Sequence, residues 1–88
     1  MKFEDFGVVT FESTHHALNG EKSFKDKDIP FKTIPTPREI TLSCGLSLKF
    51  KLEDLDAVLE LYSEEKVAIK GIYKFIMEDN IRKLIQIV

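Results

Sequence analysis

Cys44 is the single thiol in this 88-residue chain, and it stands in a Ser43-Cys44-Gly45 step directly before the alternating run Leu46-Ser47-Leu48-Lys49-Phe50. Thiolate is the nucleophilic form of cysteine, and a helix N-terminus or neighbouring cations can draw its pKa well below ~8.5. Gly45 leaves room beside the sulfur for another molecule's sulfur or selenium to approach. Arg38 offers a place to hold an anionic group, and Thr14, His15 and His16 supply a hydroxyl and two imidazoles. The histidines could furnish a general base or, with Cys44, metal ligands; being adjacent, they point about 100° apart on a helix, so at most one faces Cys44. A plainer reading stands beside each of these. A lone strand cysteine is more often core filler than nucleophile, first-turn histidines are usually exposed or capping, and Arg38-Glu39 reads equally well as a solvated pair.

The elements that must position these residues follow from periodicity. Phe6 to Phe11 (Phe-Gly-Val-Val-Thr-Phe) is a nearly continuous apolar run, the pattern of a strand central in its sheet. Ser13 or Thr14 can cap a helix from about His15 to Lys27, with a thin stripe of Ala17, Leu18 and Phe24 that Asn19-Gly20 weakens by ~1 kcal/mol. Ile29 to Ile34 reads as a second strand, and Pro30, Pro35 and Pro37 place it at a sheet edge. Leu46, Leu48 and Phe50 share one face of a third strand. Leu55, Val58, Leu59 and Tyr62 mark a second helix behind Glu53 and Asp54. Val67 to Tyr73 makes a fourth strand. Asp79 or Asn80 is expected to cap a short C-terminal helix striped by Met77, Ile81, Leu84, Ile85 and Val88.

The order β-α-β-β-α-β predicts an α+β, ferredoxin-like split βαβ fold: an antiparallel sheet of order 4-1-3-2 with both helices on one face, plus the short C-terminal helix. The expected organisation is one domain over residues 1–75 and an amphipathic extension over 76–88. In this topology the end of strand one, the start of helix one and the connection between strands two and three lie at one end of the sheet. Thr14, His15, His16, Arg38 and Cys44 therefore converge, and the parity of Leu46, Leu48 and Phe50 turns Cys44 toward the start of helix one.

Composition removes several function classes. Thirteen Lys and Arg against fifteen Asp and Glu give a net charge of −2, with no basic block, so nucleic-acid binding is disfavoured. One cysteine excludes an intrachain disulfide and the Cys-rich zinc frameworks. The start, Met1-Lys2-Phe3-Glu4-Asp5, lacks the pattern of a signal peptide, and no stretch approaches the ~20 apolar residues of a membrane span. These readings point to a cytoplasmic protein that works without membrane or nucleic acid.

Three segments carry a resemblance: Phe11-Glu12-Ser13-Thr14-His15-His16-Ala17-Leu18, Pro30-Phe31-Lys32-Thr33-Ile34-Pro35-Thr36-Pro37-Arg38-Glu39-Ile40, and Ser43-Cys44-Gly45-Leu46-Ser47-Leu48. Together they resemble the selenium/sulfur carrier protein-like family, small domains found alone or as the C-terminal part of YedF-type selenium-metabolism proteins. The resemblance covers about residues 6 to 75. It places the family's cysteine on Cys44, its glycine on Gly45, its loop arginine on Arg38 and its helix-start histidines on His15 and His16. It implies a carrier rather than a catalyst, with Cys44 holding a persulfide or selenosulfide between a cysteine desulfurase-like donor and an acceptor protein; no cofactor or metal is expected. The family commonly has arginine where this chain has Lys49, and the Cys-Pro-x-Pro motif of the TusA-like half is missing from this sequence. Two alternatives stay open: a metal-binding domain using Cys44 with His15 or His16, and an interaction module with a buried cysteine that forms a homodimer through an exposed edge or the C-terminal stripe.

Overall fold

The computed structural model describes residues 5–40, 45–64 and 67–88. The chain folds as α+β: β1 (Phe6–Phe11), α1 (Thr14–Asp26), β2 (Phe31–Pro35), β3 (Leu46–Phe50), a 3-10 turn (Leu52–Asp54), α2 (Leu55–Glu64), β4 (Ile69–Glu78) and β5 (Ile81–Gln86). The strands form a five-stranded antiparallel sheet in the order β2-β3-β1-β4-β5.

β1 is buried over Gly7 to Phe11, as its unbroken apolar run requires of a strand with a neighbour on either side. Val9 and Phe11 point into the core shared with Ala17 and Phe24 of α1, Leu48 and Phe50 of β3, Val58 and Leu61 of α2, and Ile72 of β4. Both helices therefore cover the same side of the sheet. Burial of each of these large side chains contributes about 1.5–3 kcal/mol. Phe24 fixes α1 over the edge of the sheet, its ring meeting Phe31 edge-on at 5.8 Å and Phe50 at 6.3 Å.

The ends of α1 are set by specific residues. Ser13 has an extended backbone, and its hydroxyl accepts from the His16 N–H at 3.2 Å, which makes Ser13 the N-cap. At the other end Asp28 adopts a φ of 58°, its N–H donates to Lys25 O, and the Ile29 N–H donates to Phe24 O at 2.8 Å. This is a Schellman motif with aspartate in the left-handed position, and it drops the buried Ile29 into the core before β2 begins. Gly20, which lowers the intrinsic helicity of α1, has a packing reason. A Cβ there would lie 2.5 Å from Phe11 Cζ, so the bare glycine lets the helix settle onto the ring.

β2 is an edge strand, in keeping with Pro35 inside it and Pro30 just before it. The four-stranded sheet of order 4-1-3-2 expected from the sequence is not what forms, because a fifth strand continues the sheet and β4 lies inside it. The expected C-terminal helix is also corrected. β4 runs on to Glu78, and residues 81–86 return as β5, paired in the register Glu78↔Ile81 through Tyr73↔Gln86. The cause is the two-residue link. Asp79 and Asn80 have φ values of 53° and 64°, the conformation of a type I′ hairpin turn, which these two residue types tolerate best after glycine. An Asp-Asn pair that looked like a helix cap is a reversal. β5 forms the second edge, carries no proline, and leaves Ile81 and Ile85 exposed.

Candidate functional site

The start of α1 and the start of β3 meet in one place. A Cβ on Gly45 would lie 2.7 Å from Thr14 Oγ1, so the backbone of Gly45 is in close approach to the first residue of the helix. Thr14 is there because Ser13 ends the extended chain and opens the helix, and Gly45 is there because Leu46, Leu48 and Phe50 turn β3 toward the helices. The Gly45 carbonyl accepts from the Thr36 N–H at 3.3 Å, and the Thr36 and Ser47 hydroxyls bond at 2.5 Å. These contacts tie both ends of the β2–β3 connection together. Ser47 is wholly buried and its hydroxyl is satisfied by Thr36.

The first turn of α1 holds no acidic residue, so the partial positive charge of its unpaired N–H groups meets no side-chain anion of that turn. His16 is engaged in the cap: its Nδ1 is hydrogen-bonded to Ser13 Oγ at 2.9 Å, and the same hydroxyl accepts from the His16 backbone N–H. His15 is exposed, and its ring lies 6.1 Å from that of His16. Arg38 is exposed in the turn closed by the Ile40 N–H on Pro37 O, and it forms no ion pair with a carboxylate among the described residues. Ser43 and Cys44, on which the expectation of a thiol facing helix one falls, lie outside the described residues.

Of the residues singled out in the sequence, the structure brings together Thr14 and Gly45, with His16 one helical step away at the cap. Lys49 is not part of this group. It alternates with Leu48 and Phe50, so it projects from the opposite side of the sheet, where its Nζ lies 4.4 Å from the centroid of the Phe6 ring. Thr36 and Ser47 escaped the sequence reading. The parity that placed Leu46 and Leu48 in the core also made Ser47 a polar residue inside the sheet in need of a partner. Among the described residues no group of three or more His, Cys, Asp or Glu side chains could hold a metal ion. No helix among them is long and apolar enough to cross a membrane.

Comparison with known families now bears on this arrangement. The profile of the family described as "Putative Se/S carrier protein-like" matches residues 6–74, from the first residue of β1 into β4. The chain belongs to this family. The matched span contains α1, the β2–β3 connection and Gly45, and it ends before the β4–β5 turn. No curated protein and no solved structure matches the chain.

Proposed function

We propose that this family member carries sulfur or selenium on Cys44. The observation that supports the reading best is the close approach of Gly45, the residue after Cys44, to Thr14 at the uncompensated N-terminus of α1. A persulfide anion is favoured beside unpaired backbone N–H groups for the same reason that any anion is. The description of the family supports sulfur or selenium as the cargo, and the sequence has a single thiol to hold it.

The transfer needs no second covalent residue. The Cys44 thiolate attacks the terminal sulfur of a persulfide on a cysteine desulfurase-like donor. A new S–S bond forms on Cys44, the donor's S–S bond breaks, and the donor cysteine departs as thiolate with no net oxidation. An acceptor protein reverses the exchange, and a selenium atom in the terminal position follows the same course. Arg38, exposed and without an ion pair among the described residues, joins the anion when the cargo is loaded, and the protein acts as a stoichiometric carrier in the cytoplasm.

Mass spectrometry of the intact protein tests this. After incubation with a cysteine desulfurase and cysteine, the wild-type chain is expected to gain the mass of one sulfur, removable by dithiothreitol, and Cys44→Ser to gain none. An unchanged wild-type mass under donor saturation overturns the proposal.

A further inference from the structure

The side of the sheet away from the helices has its own chemistry. Alternation and register place Phe6 of β1, Lys32 of β2, Lys49 of β3, Phe75 of β4 and Arg82 of β5 on it. Glu78 is the one acidic residue in any of the five strands, and it pairs with Ile81 on the opposite side. This side therefore presents Lys32, Lys49 and Arg82 with no strand carboxylate among them, on a chain whose net charge is −2. Lys74 and Lys83 lie on the opposite side with Glu78, and Asp5, ahead of β1, accepts from the Met77 N–H at 2.9 Å; the strand residues of the helix-free side are cationic without a carboxylate of their own.

Two of these cations are held in place. Phe6 and Phe75 stack with centroids 5.1 Å apart. Lys49 Nζ lies 4.4 Å from the Phe6 centroid, and the Arg82 guanidinium lies 4.2 Å from Phe75 and 5.4 Å from Phe6. The third stands in an unfavourable position. Lys32 is directly opposite Lys49 in the β2–β3 register, where like charges destabilise a sheet. Neither forms an ion pair among the described residues, so no carboxylate there relieves the repulsion.

We infer that this helix-free face docks an acidic segment of a protein partner, whose carboxylates fit between Lys32, Lys49 and Arg82. The aromatic arrangement favours protein over single-stranded nucleic acid. Base recognition on a sheet needs ring faces free to stack, whereas Phe6 is already occupied by Phe75, Lys49 and Arg82, and Phe75 is buried. Three cations are also few for a polyphosphate chain. Arg82, with its planar fork held over the Phe75 ring, is suited to bidentate contact with a carboxylate. The inference stands apart from the chemistry of Cys44, and its test leaves that residue untouched.

The experiment is a ¹⁵N-correlation NMR titration of the full chain with a synthetic peptide of alternating Glu and Ser, repeated with oligothymidylate of equal charge. The peptide is expected to shift the amides around Lys32, Lys49, Phe75 and Arg82 and to lose its effect as salt is raised. Lys49→Gln is expected to weaken it by about threefold or more. Lys32→Gln is the second variant. It is expected to raise the melting temperature by about 1–4 °C through relief of the Lys32–Lys49 repulsion while weakening the peptide, a combination that a purely structural lysine does not produce. Shifts that are absent, that map to the helices, or that oligothymidylate produces on the same strands at lower concentration overturn the inference.

Discussion

Replacing Gly20 with alanine sets two effects against each other, and the structure decides which wins. In an exposed helix interior the change would stabilise by about 1 kcal/mol. At Gly20 the new Cβ would meet Phe11 Cζ at 2.5 Å and Cε2 at 2.6 Å, where carbon atoms ordinarily rest about 3.5–4 Å apart. About 1 Å must be found. Phe11 is 1% exposed and packed among core residues, so its ring has nowhere to retreat, and α1 must lift from β1 instead. Overpacking of this kind costs about 1–3 kcal/mol, which leaves Gly20→Ala destabilising by about 1 kcal/mol, or some 4–8 °C in melting temperature. The sign should change when the ring is shortened. In a Phe11→Leu background the terminal ring atoms are gone, the helical preference of alanine is released, and the same substitution becomes neutral or stabilising, with a coupling of about 1–3 kcal/mol. Urea unfolding followed by circular dichroism on the four proteins of the cycle measures it. Stabilisation by Gly20→Ala in the wild-type background, or an equal effect in both backgrounds, would refute the reasoning that this glycine exists to seat α1. Lifting the helix also draws Thr14 away from Gly45, so the cycle reports on the geometry of the candidate site.

The remaining predictions concern the hairpin and the contact between helices. Asn80→Gly should stabilise the chain by roughly 0.5–1 kcal/mol, because the φ of 64° suits glycine better, and Asn80→Ile should destabilise it by about 1–2 kcal/mol; thermal unfolding of the glycine variant distinguishes the β4–β5 turn from a helix cap, where glycine in place of asparagine does not stabilise. Lys27 reaches from the end of α1 to α2, with Nζ 3.2 Å from Glu64 and 3.4 Å from Glu60, and the hydrogen bond to Glu64 chiefly raises its pKa above 10.5. A raised lysine contributes stability that is fully present below its unfolded value and fades as pH climbs through the folded one. Unfolding between about pH 9 and pH 12 should therefore show an alkaline decline that is shallower in Lys27→Met, and identical slopes would count against the pair.

The sequence disclosed those parts of the fold where one pattern had one reading. The apolar run of Phe6 to Phe11 has no other use than an interior strand, and the prolines around β2 could stand only at an edge. The C-terminal segment had two readings. Met77, Ile81, Leu84, Ile85 and Val88 satisfy a helical stripe, yet the same stretch pairs strand to strand once Asp79 and Asn80 turn left-handed. Because β5 is an edge strand, exposed over most of its length, burial imposes no strict alternation that would have betrayed it. At the site, cap and parity led to the expectation that Thr14, His15, His16, Arg38 and Cys44 converge; Cys44 lies outside the described residues, and what the structure shows is Gly45, the residue after it, in close approach to Thr14. Lys49 entered by resemblance, although its own parity against Leu48 already put it on the far side of the sheet. Gly20 read as a defect because helix propensity is local, whereas its purpose is a ring on another element.

The two edges of the sheet are unlike, and this sets a limit on self-association. β2 lacks donors where prolines stand, while β5 offers an unbroken main chain flanked by the exposed Ile81 and Ile85. A sheet with two receptive edges can grow without end, each added molecule offering a fresh one. This one has a single receptive edge, so a second copy that pairs along β5 buries it and presents only two blunted β2 strands outward. Were copies to add strand to strand along β5, the addition would terminate at the pair, where a sheet with two receptive edges would continue into a fibre.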